Sequence, residues 1–339
     1  MTATGNPFTS PDTNQKYSGK VKIGHAGRYV LPDPITGQEK HWTRVSTIAH
    51  VLADSFMLDQ WKARMLAKGM GLRPDLGMVA RDLDVRDDRD DLQEIADKAM
   101  EAAGASVGAN MGTALHKYAE RLDAGEDLSG ERMHESTKRA LNRYQKTMQD
   151  EGLIIDPGFM ERVVLNYEYG IVGRLDRAVN DPVLWSFPRI GDLKTQKTMD
   201  FGGLEIAMQL ALYARADYMW NEDTSEWEEF PKMDLNAATV IHLPAQSDEC
   251  EIYDVDIDVG WQCVRLAMNV RKARKIGKGL VLPRPNDRQW RIRIMQAKSK
   301  QDLSAIWQDA QREGKWSKRL QQFAMDRLKE IQGLIEPQI

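Results

Sequence analysis

Two carboxylates stand where apolar strands ordinarily carry none. Asp176 closes the run G-I-V-G-R-L-D, and Asp192 sits inside I-G-D-L-K with Lys194 two residues on. Successive side chains of a strand point to opposite faces, so Asp192 and Lys194 project together while Leu193 turns into the core. Two acids and a lysine gathered at one end of a sheet are the parts of a metal-dependent phosphodiesterase. The acids hold a divalent cation, and the lysine meets charge on the water or phosphate. Taken alone, D-x-K is common on exposed strands. Asp176, at the end of a second apolar strand, gives it weight.

A third element is His116, in G-T-A-L-H, on a helix read from Ser106 to Leu122. Its small residues Gly108, Ala109, Gly112 and Ala114 let another backbone approach closely. A lone histidine on a helix is more often a surface or satisfied core residue than a ligand. Beside such a face, a neutral imidazole is a reasonable third ligand, better suited to Mn²⁺ than to Mg²⁺. Glu120 lies one turn on and joins the same face as an additional acid. The fourth element is Gln209 with Tyr213, again one turn apart, on the helix after the D-x-K strand. Amide, ring and hydroxyl together suit a nucleic-acid strand lying across the site. The plainer alternative is an exposed Gln beside a core Tyr.

In this order G-T-A-L-H, G-R-L-D, G-D-L-K-T and Q-L-A-L-Y resemble the motifs of the RecB-type branch of the PD-(D/E)xK nucleases. That branch includes the nuclease domains of bacterial recombination helicase–nucleases, CRISPR adaptation exonucleases and phage-encoded exonucleases. The likeness is close from His116 to Tyr213, and R-V-S-T-I with Trp61 is similar to the phage members. It implies an α/β, restriction-endonuclease-like fold with a mixed central sheet flanked by helices. It implies that His116, Asp176 and Asp192 bind Mg²⁺ or Mn²⁺, with the Leu193 carbonyl as a further ligand. Lys194 would orient or activate the attacking water, and Gln209, Tyr213, Arg174 and Thr195 would contact DNA. Leu175 stands where the family's nominal motif has proline. The iron–sulfur members need four cysteines, whereas this chain has Cys250 and Cys263 alone, so no cluster is expected. The function implied is a metal-dependent DNA exonuclease, phage-encoded, serving recombination or replication on DNA that is linear or has a free end. A single-strand annealing or recombination protein, or further copies of the chain, are the partners implied. A structure-specific endonuclease on the same core is an alternative. A catalytically idle DNA-binding accessory is another, against which the intact Asp176, Asp192 and Lys194 speak.

The elements that must position these residues are read from pattern. At 339 residues the chain buries a full core, as one large domain with appendages. A polar lead-in (1–18) precedes strands and a helical lobe (19–104), a nuclease core (105–285) and a C-terminal helical hairpin (286–339). No apolar run reaches the roughly 18–20 residues that span a bilayer, and the lead-in lacks a signal peptide's apolar stretch, so a cytoplasmic location, in the host cell, is expected. In the lobe, R-V-S-T-I opens a helix capped by Ser46 or Thr47. Ile48, Val51, Leu52, Phe56, Leu58, Trp61 and Met65 predict its buried face, with Trp61 in the core, and 72–91 reads as loop. E-R-V-V-L-N-Y and the whole of G-I-V-G-R-L-D-R-A-V read as a hairpin of two strands. Val183–Phe187 and Arg189–Lys194 form a third strand interrupted by Pro188, and Gly203–Trp220 a helix. The net charge of −4 says little for nucleic acid, but Arg265 to Lys298 holds eleven Lys/Arg against one acid, Asp287. This run, with Arg271 and Lys275, is either a solvated helix face or a surface that tracks phosphates. Lys300–Arg312 and Lys318–Leu334 form the terminal hairpin, capped by Ser299 and Ser317.

Overall fold

In a computed structural model of the chain, residues 21–245, 247–277, 280 and 286–333 are described. The lead-in predicted over 1–18 lies outside them. Two compact units divide the chain, Met1–Ala273 and Arg274–Ile339.

The first unit opens with strands β1 (Lys22–Ile23), β2 (Tyr29–Pro32) and β3 (Glu39–Arg44). Helices α1 (Val45–Ala49), α2 (Phe56–Leu72), α3 (Pro74–Ala80), α4 (Arg89–Ala102), α5 (Val107–Asp123) and α6 (Glu135–Asp150) follow. Strands β4 (Ile154–Ile155), β5 (Val163–Asn166), β6 (Ile171–Arg174), β7 (Arg177–Asn180) and β8 (Arg189–Lys194) lead to α7 (Gly203–Ala214). The hairpins β9 (Tyr218–Asn221) with β10 (Glu226–Glu229), and β11 (Ala237–His242) with β12 (Glu251–Asp256), precede α8 (Ile257–Gly277), which runs past the division.

The strands form two mixed sheets. One is ordered β1-β2-β3-β6-β5-β9-β10, with β3 and β6 parallel; the other is β12-β11-β8-β7-β4, with β8 and β11 parallel. Side chains of the second sheet alternate between two cores. Ala178, Ile190, Ala238 and Val240 pack with α1, α7 and α8. Val179, Leu193, Ile241 and Leu243 pack on the other face with Leu115 and Ala119 of α5 and Leu141, Tyr144 and Met148 of α6. The result is a mixed α/β layer arrangement, sheet flanked by helices.

Several expectations are corrected. G-I-V-G-R-L-D-R-A-V is not one strand. β6 pairs with β5 in the first sheet, and β7 pairs with β8 in the second. Between them the Leu175 N–H donates to the Arg162 carbonyl and the Asp176 carbonyl accepts from Glu161 N–H, each at 2.9 Å. Glu161 has φ 52°, a left-handed conformation unusual outside glycine, and this ends the first ladder. Val183–Phe187 is no strand, because the Asp181 carboxylate caps a turn there by accepting from the N–H groups of Val183 and Leu184. α7 stops at Ala214 and the next residues enter the β9–β10 hairpin, so the helix does not reach Trp220.

The lobe departs furthest. The chain breaks after α1, whose N-cap is Arg44 rather than Ser46 or Thr47. A new helix begins at Phe56, and on it Phe56, Leu58 and Trp61 are exposed rather than core. The stretch read as loop includes α3, with Pro74 in its first turn where the missing N–H costs nothing. α2 and α4 cross tightly at Gly69: a Cβ there would lie 1.8 Å from the Ala99 carbonyl oxygen.

Beyond the end of α8, the described residues of the second unit form α9 (Arg288–Gln296), α10 (Lys300–Arg312) and α11 (Lys318–Ile331), rather than the hairpin of two. Trp290 and Ile294 of α9 are buried with Leu303, Ile306, Ala310 and Leu320 in a core of their own. The basic residues between them hid this apolar stripe. Ser299 and Ser317 cap α10 and α11 as expected. No helix among the described residues is long and apolar enough to cross a membrane.

Candidate metal centre

The switch from one sheet to the other places Asp176 at the junction, and other elements converge on it. α5 presents His116, Glu120 and Asp123 on successive turns of one face. Its approach depends on Gly112, where a Cβ would lie 2.3 Å from Thr195 Oγ1 just beyond β8. Of the small residues that predict this approach, Gly112 makes it, whereas Gly108 faces open space.

His116 Nε2 lies 3.0 Å from Asp176 Oδ1, 3.0 Å from Glu120 Oε1 and 3.9 Å from Glu161 Oε1. One ligand atom from each of these four residues falls within 4.8 Å of the other three. Glu161 was not singled out by sequence. It opens the run E-R-V-V-L-N-Y as an ordinary strand-edge acid, and only its left-handed backbone aims it at the histidine.

Asp176 is buried and densely held. Its Oδ2 accepts from the Leu193 N–H at 2.6 Å and from Arg177 Nε at 3.2 Å, and its Oδ1 from Arg177 Nη2 at 3.2 Å. The Arg177 guanidinium is wholly buried. It also donates to Asp123 Oδ2 at 2.7 Å and to the Tyr144 hydroxyl at 3.0 Å, while that hydroxyl donates to Asp123 at 2.7 Å. Burial opposes ionisation of Asp176, but Arg177 and His116 outweigh it and hold the carboxyl well below the usual range. Arg177 and Asp123 were also missed. Their signals were an arginine inside the apolar run L-D-R-A-V and an acid one turn beyond Glu120.

Asp192 is placed differently. It lies on the face of β8 that carries Ile190, and Lys194 Nζ stands 2.6 Å from its Oδ2, off the line of a hydrogen bond, as an ion pair. Burial raises its pKa, Lys194 opposes that, and the Asp176 charge adds to it. Asp192 is outside the four-residue group. Leu193 turns into the α5–α6 core as expected, and its N–H is what touches Asp176.

Burial disfavours charge on His116, yet the hydrogen bonds to Asp176 and Glu120 raise its pKa to about 10. It is therefore an imidazolium joining two carboxylates, and a cation entering here must displace that proton. Glu161 is pushed up to about 7, by burial and then by the charges of Asp176 and Glu120. One imidazole nitrogen and three carboxylate oxygens are a donor set that could hold a metal ion.

The remaining sequence candidates fall in three places. Tyr213 is buried in the α7 core, where Gly173 makes room for it: a Cβ there would lie 2.7 Å from its ring. Its hydroxyl accepts from the half-buried Gln209 Nε2 at 3.3 Å, so of this pair Gln209 is the more accessible. Arg174 donates to the Glu161 carbonyl and, at 3.1 Å, to Glu222, which engages it within the protein. Thr195 abuts Gly112. Arg271, half-buried, and Lys275, exposed, lie on α8 on either side of the division between units. Compared with known proteins, the chain matches no family model and no curated protein.

Proposed function

We propose that the chain is a Mg²⁺- or Mn²⁺-dependent deoxyribonuclease of the RecB-type PD-(D/E)xK kind, acting as an exonuclease. One observation carries this reading. His116, Glu120, Glu161 and Asp176 converge within 4.8 Å at the junction of two sheets, beside the strand that pairs Asp192 with Lys194. The four converging groups hold the cation, and Asp192 contributes the facing carboxylate on β8. When bound, a divalent cation neutralises charge that builds on the phosphoryl oxygens and makes a water more acidic. Arg177 and the Leu193 N–H fix the Asp176 carboxylate in one orientation, so little reorganisation accompanies binding. Lys194, 24 % exposed, keeps a positive charge within reach of an anionic substrate while its partner is buried. Gln209 offers an amide to the strand being cut, steadied by the Tyr213 hydroxyl.

The test is digestion of linear and closed-circular DNA, labelled at 5′ or 3′ ends, with Mg²⁺ or Mn²⁺ and with chelator. Loss of label from linear DNA alone, abolished by chelator, is expected. Nicking of the closed circle would favour the endonuclease reading. Absence of any cleavage with intact DNA binding would leave a DNA-binding accessory.

A further inference from the structure

Charge is divided unequally between the two units. Residues 274–339 carry fifteen Lys/Arg against seven Asp/Glu, a net of +8. The whole chain stands at −4, which leaves −12 on residues 1–273. An acidic body has a basic terminal module with its own apolar core.

Within that module the charge gathers at one end. Arg293 Nη2 lies 2.6 Å from Asp309 Oδ2, and the guanidinium of Arg291 sits 4.7 Å over the Phe323 ring. Arg327 reaches the Ala297 carbonyl at 3.1 Å. These contacts run α9 antiparallel to α10 and parallel to α11, so α9 and α11 start where α10 ends. Arg288, Arg312, Lys315, Lys318 and Arg319 are exposed at that end, and half-buried Trp316 lies between the two lysines. The carboxylates there are few: Asp287 is buried, and Asp309 is shared by Arg293 and Arg312. Among the described residues Glu313 is the remaining one there. At the opposite end Glu330 and Asp326 pair with Arg327 and Lys329. Lys318 and Arg319 also occupy the first turn of α11, which contains no acid. Cations face the positive end of a helix dipole there, an unfavourable placement that an arriving anion relieves. Protein interfaces are built round an apolar centre, whereas the turn from α10 to α11 offers Trp316 as its one large apolar side chain among charges. A polyanion with a stackable ring or base fits this chemistry better than an acidic protein.

We propose that this end of the terminal unit binds the phosphate backbone of DNA, with Trp316 in contact beside it. The choice of DNA over another polyanion rests on the deoxyribonuclease reading.

The experiment uses the full chain in chelator, with labelled duplex DNA titrated by fluorescence anisotropy across about 50 to 200 mM salt. Lys315→Gln with Lys318→Gln is compared with Lys298→Gln with Lys300→Gln, so both double variants lose the same charge. Each duplex phosphate contact contributes about 0.9 to the log–log salt slope. The first double should lower the slope by about 2 and weaken binding at least tenfold at the lower salt, whereas the second should leave both nearly unchanged. Equal losses from the two doubles, an unchanged slope in the first, or no DNA binding by the parent chain would each overturn the proposal. Arg319→Gln alone should lower the slope by about one; if Lys315→Gln with Lys318→Gln fails to fold, this single decides. DNA binding that follows this pattern without cleavage would sink the nuclease reading and leave the surface standing. Cleavage with an unmoved slope would do the reverse.

Discussion

Asp176, in the bend between β6 and β7, and Asp192, on β8, are both buried and are held in opposite ways. The first takes hydrogen bonds from a backbone N–H and a buried guanidinium and contacts a charged imidazole, and it is ionised at any ordinary pH. The second is paired with one partly exposed lysine, and its pKa is raised. A carboxylate clamped from several sides is a fixed anchor. One that burial makes reluctant to ionise gains most from a cation, because the single lysine beside it offsets burial only in part. The proposed site would thus combine a prebuilt half and a half that a bound cation completes.

The largest expected effect ignores this asymmetry. Asp176→Ala and Asp192→Ala should each lower DNA cleavage by about 10²–10³ or more, since each removes charge stabilisation at the reacting phosphate. End-label release assays in Mg²⁺ check this, and full activity of either variant would dissolve the site.

Stability should then separate the two. Asp176→Asn leaves Arg177 buried with its main partner gone, and breaking a buried pair costs about 3–5 kcal/mol. Asp192→Asn should cost no more than about 1 kcal/mol, because Lys194 is partly exposed and can turn to water. Urea unfolding of the metal-free proteins measures both. Equal losses would mean that Asp192 is as firmly built in as Asp176.

Lys194→Ala sharpens the comparison on the chemical side. Turnover should fall about 10²–10³-fold, with Mn²⁺ affinity by calorimetry close to that of the parent. Loss of the cation along with turnover would make the lysine part of the binding site.

A further effect concerns acidity. His116 has its pKa raised from 6.5 to about 10 in the folded chain. Its contribution to stability is therefore complete below the unfolded value near 6.5 and is lost as pH climbs toward about 10. Without metal, the parent should lose stability across this window relative to His116→Gln. Parallel pH profiles would show that the imidazolium bridge adds nothing to folding.

Much of this site was legible in sequence because its parts obey short periods. The two-residue period put Asp192 and Lys194 on one face and Leu193 in the core. The helical period put Glu120 with His116. What was not legible depends on backbone events with no period. Glu161 reaches the site through a left-handed residue, and the split of G-I-V-G-R-L-D-R-A-V follows from ladder bonds between segments that sequence cannot pair in advance. Trp61 shows the opposite failure. Its apolar spacing is real, but the chain turns between His50 and Ser55, so residues counted as one stripe fall on α1, the turn and α2, and Phe56, Leu58 and Trp61 face outward.

The sheet switch at Leu175 and Asp176 has a mechanical meaning. Glu161 precedes β5 and Arg174 ends β6 in the first sheet, Asp192 and Lys194 lie on β8 in the second, and the candidate cluster sits at the seam. A cation seated there is a removable cross-link between two halves of one domain. Saturating it at about a hundred times its dissociation constant adds about 2.7 kcal/mol to the folded state. That energy resists shear between the sheets, so amide exchange in β5 and β8 should slow together when the cation binds.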